Sequence, residues 1–272
     1  MKPTVMRGKS STPPGWRRIG YSAGDFVVLA IDFELTSRVE AGFRDLIALF
    51  PEPLTVWQAV QPPAGSPTGD YISWWSNRLD TANADIVAVM GYCAGSIFAS
   101  AMADEIERLR GRRPRTVVFN PGRPSRDSVD RDFRAVIGSL SPLSIAERAE
   151  VIDQAEAILT DWDRDVGAAL DRLLALYCAQ AGIAFDRAGV AADVGQQLVD
   201  VFRSYTAYLR AAHLITPRSS WSAATAVCSV EGDGEPGFAE RTIPIMERRQ
   251  DLLRSATAAQ TVFELLSEVS EW

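Results

Sequence analysis

Histidine is nearly missing from this sequence: His213 is the single one in 272 residues. No Cys-x-x-Cys pair and no Cys/His spacing fits a zinc site. Cysteine is scarce as well, with only Cys93, Cys178 and Cys228. An odd and sparse count argues against a disulfide framework and fits a reducing compartment, so the cytoplasm is the expected location. Lysine occurs only at Lys2 and Lys9, which leaves arginine to carry almost all the basic charge. The net charge is −7 and no basic cluster stands out, so nucleic acid is not an expected partner. The same acidity speaks against binding an anionic membrane surface. No apolar run reaches the length needed to cross a membrane. Met1 to Trp16 has no apolar core of the kind a signal peptide needs and reads as a flexible N-terminal tail. No internal repeat is visible.

What is present is an alternation of short apolar runs with amphipathic segments. Residues 26–31 (Phe-Val-Val-Leu-Ala-Ile), 54–60, 86–90 and 115–120 read as buried strands, with a short edge strand or turn over 17–24. Between them, 38–50, with Val39, Phe43, Leu46, Ile47 and Phe50 on one face, reads as a helix ended by Pro51 and Pro53. A further short helix is expected at about 70–83, and another from Ser96 to Leu109. The order β-α-β-α-β-α-β predicts an α/β fold with a doubly wound, mostly parallel sheet. From about 125 the strand signal stops, and helical periodicity points to helices at 144–159, 162–181 and 190–212. Strand signal returns at 222–230 and at 241–246, and a terminal amphipathic helix is expected over 248–268.

The stretch from Asp85 to Ala99 organises the rest. It reads as a buried strand, a turn framed by Gly91 and Gly95, and then a helix. Cys93 sits midway in a G-x-C-x-G pattern. Such a tight turn needs small residues two before and two after its central side chain. The central side chain is then held at a helix N-terminus, where the dipole favours an anion, and thiolates form readily in that setting.

On these residues the chain resembles the α/β-hydrolase superfamily. Gly91-Tyr92-Cys93-Ala94-Gly95-Ser96 is similar to the nucleophile elbow of thioesterases that serve nonribosomal peptide and polyketide synthases, usually G-[YH]-S-x-G-[GS]. Cys93 replaces the usual serine. The resemblance implies an α/β-hydrolase-like fold in which 125–214 is a helical lid, 17–124 and 215–272 are the two parts of the core, and 1–16 is the tail. It implies oxyanion donors from the backbone N–H of Ala94 and from the loop at Phe33 or Glu34, where the family's P-x-A-G-G-like glycines are absent. For the triad acid it implies Asn120, after the strand that follows the elbow helix, or Asp233 in Glu231-Gly232-Asp233-Gly234, after the next strand. The stretch that should carry the catalytic histidine offers Arg249, or Gln250 with a one-residue slip. His213, at the end of the last lid helix, is either a relocated base or a helix C-terminal residue matched to the dipole.

The resemblance therefore leads to three expectations. The first is an acyl or aminoacyl transferase that forms a covalent thioester on Cys93, with an acyl or peptidyl carrier protein as partner. The substrate then rides on the carrier's phosphopantetheine, and the chain needs no cofactor or metal of its own. The second is an editing thioesterase that hydrolyses acyl-carrier thioesters through a displaced base. The third is a non-catalytic hydrolase fold that binds an acyl chain or a partner.

Overall fold

The computed structural model describes residues 12–24, 26–35, 37–63, 71–79, 84–216, 219–231 and 239–267. Among the described residues seven strands form one sheet: β1 (Trp16–Gly20), β2 (Phe26–Ile31), β3 (Thr55–Ala59), β4 (Asp85–Tyr92), β5 (Arg115–Phe119), β6 (Thr225–Ser229) and β7 (Arg241–Ile245). Their spatial order is β1-β3-β2-β4-β5-β6-β7. Only the β1–β3 pair is antiparallel. The central strands β2, β4 and β5 are apolar and buried nearly throughout, as a sheet covered on both faces requires.

Helices cover both faces. α1 (Phe43–Ala48) and α8 (Ala256–Ser267) lie on one side, where Phe43, Leu46, Val262 and Leu266 pack with Val28, Met90 and Phe119 of the sheet. On the other side α2 (Tyr71–Ser76) and α3 (Gly95–Arg110) pack against Leu29, Ile31 and Val89. Four more helices lie between β5 and β6: α4 (Arg126–Ser139), α5 (Ile145–Leu159), α6 (Val166–Ala188) and α7 (Ala192–Leu214). α6 is long and apolar enough, by length and composition alone, to cross a membrane. It packs instead on α5 and α7, with Leu170, Leu173, Tyr177, Ala181 and Ala184 buried.

Several elements differ from the expected ones. Residues 38–42 are not helical; α1 starts only after Gly42, whose N–H donates to the Asp45 carboxylate. The segment ahead of it is held open because the Arg38 guanidinium bonds Asp32 and the Ala41 carbonyl. The expected terminal helix is split into a 3₁₀ turn at Arg249–Arg254 and α8 by Ser255, whose hydroxyl accepts from the Ala258 N–H and caps α8. The expected list of lid helices missed α4. Trp16, placed in the tail, opens β1 and is buried, with its indole donating to the Trp75 carbonyl.

Candidate active site

β2 leads to β3 on one side of the sheet and then to β4 on the other. The C-terminal ends of β2 and β4 thus flank the point where strand order reverses, which is where open α/β sheets place their ligand sites. Cys93 follows β4 directly and has a positive φ of 51°. Such a backbone costs a non-glycine residue on the order of 1–3 kcal/mol and persists only where the surroundings enforce it. Here they do. The Cys93 N–H donates to the Phe119 carbonyl at 2.9 Å, and the Ser96 hydroxyl donates to the Gly91 carbonyl at 3.2 Å. A Cβ on Gly91 would lie 2.5 Å from the Gly95 carbonyl oxygen, and one on Gly95 would lie 2.3 Å from the Ile31 carbonyl oxygen. Both glycines are therefore demanded by backbone that cannot move aside cheaply.

The Cys93 thiol opens into a cavity of about 110 Å³ beneath α4 and α7. Its wall includes Phe33, Arg38, Glu40, Ala94, Asp132, Tyr205, Tyr208 and Arg249. Arg249 Nη2 donates to Cys93 Sγ at 3.1 Å. The Arg249 side chain is only 15% exposed, and its Nε lies 3.6 Å from a Glu40 carboxylate oxygen. Burial opposes its charge, but Cys93, Tyr92 and Glu40 outweigh burial and raise its pKa above the ordinary arginine range. Arg38 pairs with the buried Asp32 carboxylate at 2.6 Å and stacks 4.5 Å from the centre of the Tyr92 ring. Burial pushes Asp32 up, and Arg38 pulls it back. Tyr92 is pushed up to about 12, mainly by burial; its hydroxyl donates to the Arg249 carbonyl at 3.4 Å. Tyr92 thus links the two arginines behind the sulfur.

The other sequence-derived candidates are distributed as follows. Ala94 is buried and caps α3, a position whose N–H has no partner inside the helix. Phe33 lines the cavity, but its N–H is already engaged with Asp32 Oδ1 at 2.8 Å. Its ring packs against Tyr205 and Tyr208, with centroids 5.3 and 5.4 Å away. Asn120 is buried at the end of β5 with a φ of 41°. Its Oδ1 accepts from the Ser229 N–H at 2.8 Å and from the Ser229 hydroxyl at 3.2 Å, so it ties β5 to β6. Gln250 is exposed and donates to Asp251, so of the two residues offered for the histidine position it is Arg249 that reaches the sulfur. His213 is exposed and lines a separate surface pocket with Trp162, Asp163 and Arg210, away from the Cys93 cavity. Asp233 lies outside the described residues. Among the described residues no cluster of His, Cys, Asp and Glu is arranged to hold a metal ion.

Sequence reasoning missed Arg38, Glu40, Asp132, Tyr205 and Tyr208. For the first two a signal existed: Gly42 followed three residues later by Asp45 marks a helix start, which leaves 38–42 as loop. For Asp132 in α4 and Tyr205 and Tyr208 in α7 no local pattern distinguishes cavity from core. Asp132 faces the cavity from α4 and accepts from the Tyr205 hydroxyl; burial pushes its carboxyl up, against Arg131 and Tyr205.

No protein-family model matches this sequence, and no curated protein matches it. Solved structures do resemble it. The Vlm2 thioesterase domain, carrying genetically encoded 2,3-diaminopropionic acid and bound with a dodecadepsipeptide, aligns with a TM-score of 0.50 at 14% identity, over 94% of this chain and 98% of that one. The same domain in another crystal form aligns with a TM-score of 0.52 at 13% identity, over 94% of this chain and 98% of that one. Holo-AB3403, a four-domain nonribosomal peptide synthetase bound to AMP and glycine, aligns with a TM-score of 0.58 at 11% identity. That match covers 97% of this chain but 21% of the synthetase. Together with the sheet order, these likenesses establish an α/β-hydrolase fold of the kind thioesterase domains have.

Proposed function

We propose that this chain is a thioesterase-like acyl or aminoacyl transferase. Cys93 takes an acyl group from a carrier-bound thioester, holds it on its own sulfur, and passes it to a second acceptor. The observation that carries this reading is the Arg249 guanidinium, 3.1 Å from Sγ, in the stretch where the resembled thioesterases keep their histidine. A guanidinium has no lone pair to accept a proton, so Arg249 cannot activate water to hydrolyse an acyl-enzyme. It can stabilise a sulfur anion through a charge-assisted hydrogen bond. Exchange between thiols suits such a site, because one thioester becomes another at little net cost. The shared fold with a thioesterase domain and a peptide synthetase supports a setting in nonribosomal peptide or polyketide assembly. In that setting the substrate arrives on the phosphopantetheine of an acyl or peptidyl carrier protein, in the cytoplasm, and the chain supplies no cofactor.

The test is intact-protein mass spectrometry after incubation with an acyl-pantetheine thioester. The expected result is one adduct on Cys93 that persists in buffer and is discharged by added pantetheine. An equal adduct in Cys93→Ala would remove the sulfur from the chemistry.

A second reading, editing hydrolysis, is favoured by Asp132, a half-buried carboxyl on the cavity wall whose pKa is raised by desolvation. Such a group is suited to general-base work on water. This reading predicts steady release of free acid that collapses in Asp132→Asn.

A further inference from the structure

We infer that the hydroxyl of Tyr208, reaching down from α7, is the second oxyanion donor and works with the backbone N–H of Ala94. The inference rests on the reading of Cys93 as the acyl acceptor. Acyl transfer at the elbow develops negative charge on the carbonyl oxygen, and two donors preorganised around that oxygen are the usual means of stabilising it. One is Ala94. Of the two expected second donors, the Phe33 N–H already bonds Asp32 Oδ1 at 2.8 Å, and Glu34 does not line the Cys93 cavity.

Tyr208 has what the vacancy requires. It is 1% exposed, yet its hydroxyl has no hydrogen-bond partner among the described residues. A buried hydroxyl without a partner costs free energy on the order of 1–3 kcal/mol, and native structures keep few of them without a use. The side chain lines the same cavity as Cys93 and Ala94. A Cβ built on Gly95 would lie 3.1 Å from the Tyr208 hydroxyl oxygen, so that oxygen stands beside the first turn of α3. The ring is fixed by Phe98, Phe33 and Tyr71, whose centroids lie 4.6, 5.4 and 5.8 Å away. Burial, with Asp32 and Cys93 nearby, pushes its ionisation well up, so the hydroxyl keeps its proton.

In the step itself, the Cys93 thiolate attacks the thioester carbonyl carbon and a carbon–sulfur bond forms. The carbonyl π electrons move to oxygen, which accepts hydrogen bonds from Ala94 N–H and Tyr208 O–H. When the carbonyl re-forms, the bond to the pantetheine sulfur breaks. That sulfur leaves as a thiolate and takes from solvent the equivalent of the proton Cys93 gave up. Tyr208 stays protonated throughout.

The experiment compares Tyr208→Phe with the unchanged protein in two reactions at Cys93. Acylation by an acyl-pantetheine thioester passes through an oxyanion; alkylation by iodoacetamide does not. Tyr208→Phe keeps the ring and its packing. Its acylation rate is expected to fall about 100-fold, mainly in the maximal rate rather than in the half-saturating concentration, while alkylation proceeds at the original rate. Acylation at the original rate would overturn the inference and leave Cys93 as acceptor. Equal slowing of both reactions would also overturn it, by assigning Tyr208 a purely structural role. No acylation of the unchanged protein, with alkylation intact, would overturn the reading of Cys93 as acyl acceptor along with it.

Discussion

Two glycines show how differently one residue type can be required. Gly111 ends α3 with a φ of 73°, and an added Cβ would meet nothing within 4 Å. Its requirement is conformational only, so Gly111→Ala should cost about 1 kcal/mol. Gly95 has no unusual φ to defend, but its Cβ would lie 2.3 Å from the Ile31 carbonyl oxygen on the neighbouring strand. Gly95→Ala should therefore cost at least about 3 kcal/mol by overpacking against backbone. Urea unfolding of the two variants checks the order; a smaller loss at Gly95 would mean that β2 gives way. At Cys93 the decisive partner is Arg249. Arg249→Gln removes one charge-assisted hydrogen bond, worth about 1.5 kcal/mol or more, and should slow iodoacetamide alkylation of Cys93 at pH 7 about tenfold. An unchanged rate would make the 3.1 Å contact irrelevant to the sulfur's reactivity. Cys93, Ala94 and Arg249 were legible because each sits in a local pattern: two glycines around a turn, a helix start, a stretch before the last helix. Tyr208 and Asp132 were not, since only the packing of distant helices over the sheet turns them toward the sulfur.

At the scale of elements, the helices between β5 and β6 carry their own start and stop signals. Ser144 caps α5 and Asp165 caps α6, while Gly189 ends α6. The α5 start is joined to the end of α6 by Arg187, which donates to both Glu147 carboxylate oxygens at 2.9 and 2.7 Å. Glu147 also accepts from the Ser144 N–H at 2.8 Å. The Arg187 hydrogen bonds, and then those to Ser144, lower the Glu147 pKa from 4.5 to about 2. Because the folded value lies below the unfolded one, the stabilisation is complete above about pH 4.5 and is lost as pH falls through 2. The gap in thermal midpoint between Glu147→Gln and the unchanged protein should therefore narrow on acidification from pH 5 to pH 2; a constant gap would deny the pair this role. The Ser144 cap explains why α5 could be read from the sequence to within a residue, whereas α6 runs on to Ala188, well past its expected end at 181, and α7 matches its expected bounds without a side-chain cap. α4 escaped because Val129, Phe133, Val136 and Ile137 are embedded among arginines and aspartates that dilute the pattern. Residues 38–42 misled in the opposite direction. Val39 continues the apolar spacing of α1 but is 67% exposed, and the segment is shaped by Arg38 bonding instead.

At the scale of the whole molecule, the helical insertion does not fold on a core of its own. One contiguous apolar cluster runs from Leu29, Ile31 and Val89 of the sheet through Ile97 and Phe98 of α3 into Phe133, Leu173, Phe202 and Leu209 of the insertion. Phe98 is the junction. It is fully buried and meets Tyr208 of α7 at 4.6 Å and both Tyr71 and Trp75 of α2 at 5.3 Å between ring centroids. A core shared in this way couples the cover over Cys93 to the sheet that positions Cys93, so sheet and insertion should melt in a single transition. Phe98→Ala removes about 3–5 kcal/mol of buried aromatic contact. For a chain of this size that corresponds to a drop on the order of 10 °C in the midpoint of the whole transition. Calorimetry combined with hydrogen exchange in β4 and α7 checks this. If α7 loses protection well before β4, the insertion is a separately opening unit, and access to the sulfur is governed by that opening rather than by the narrow cavity seen here.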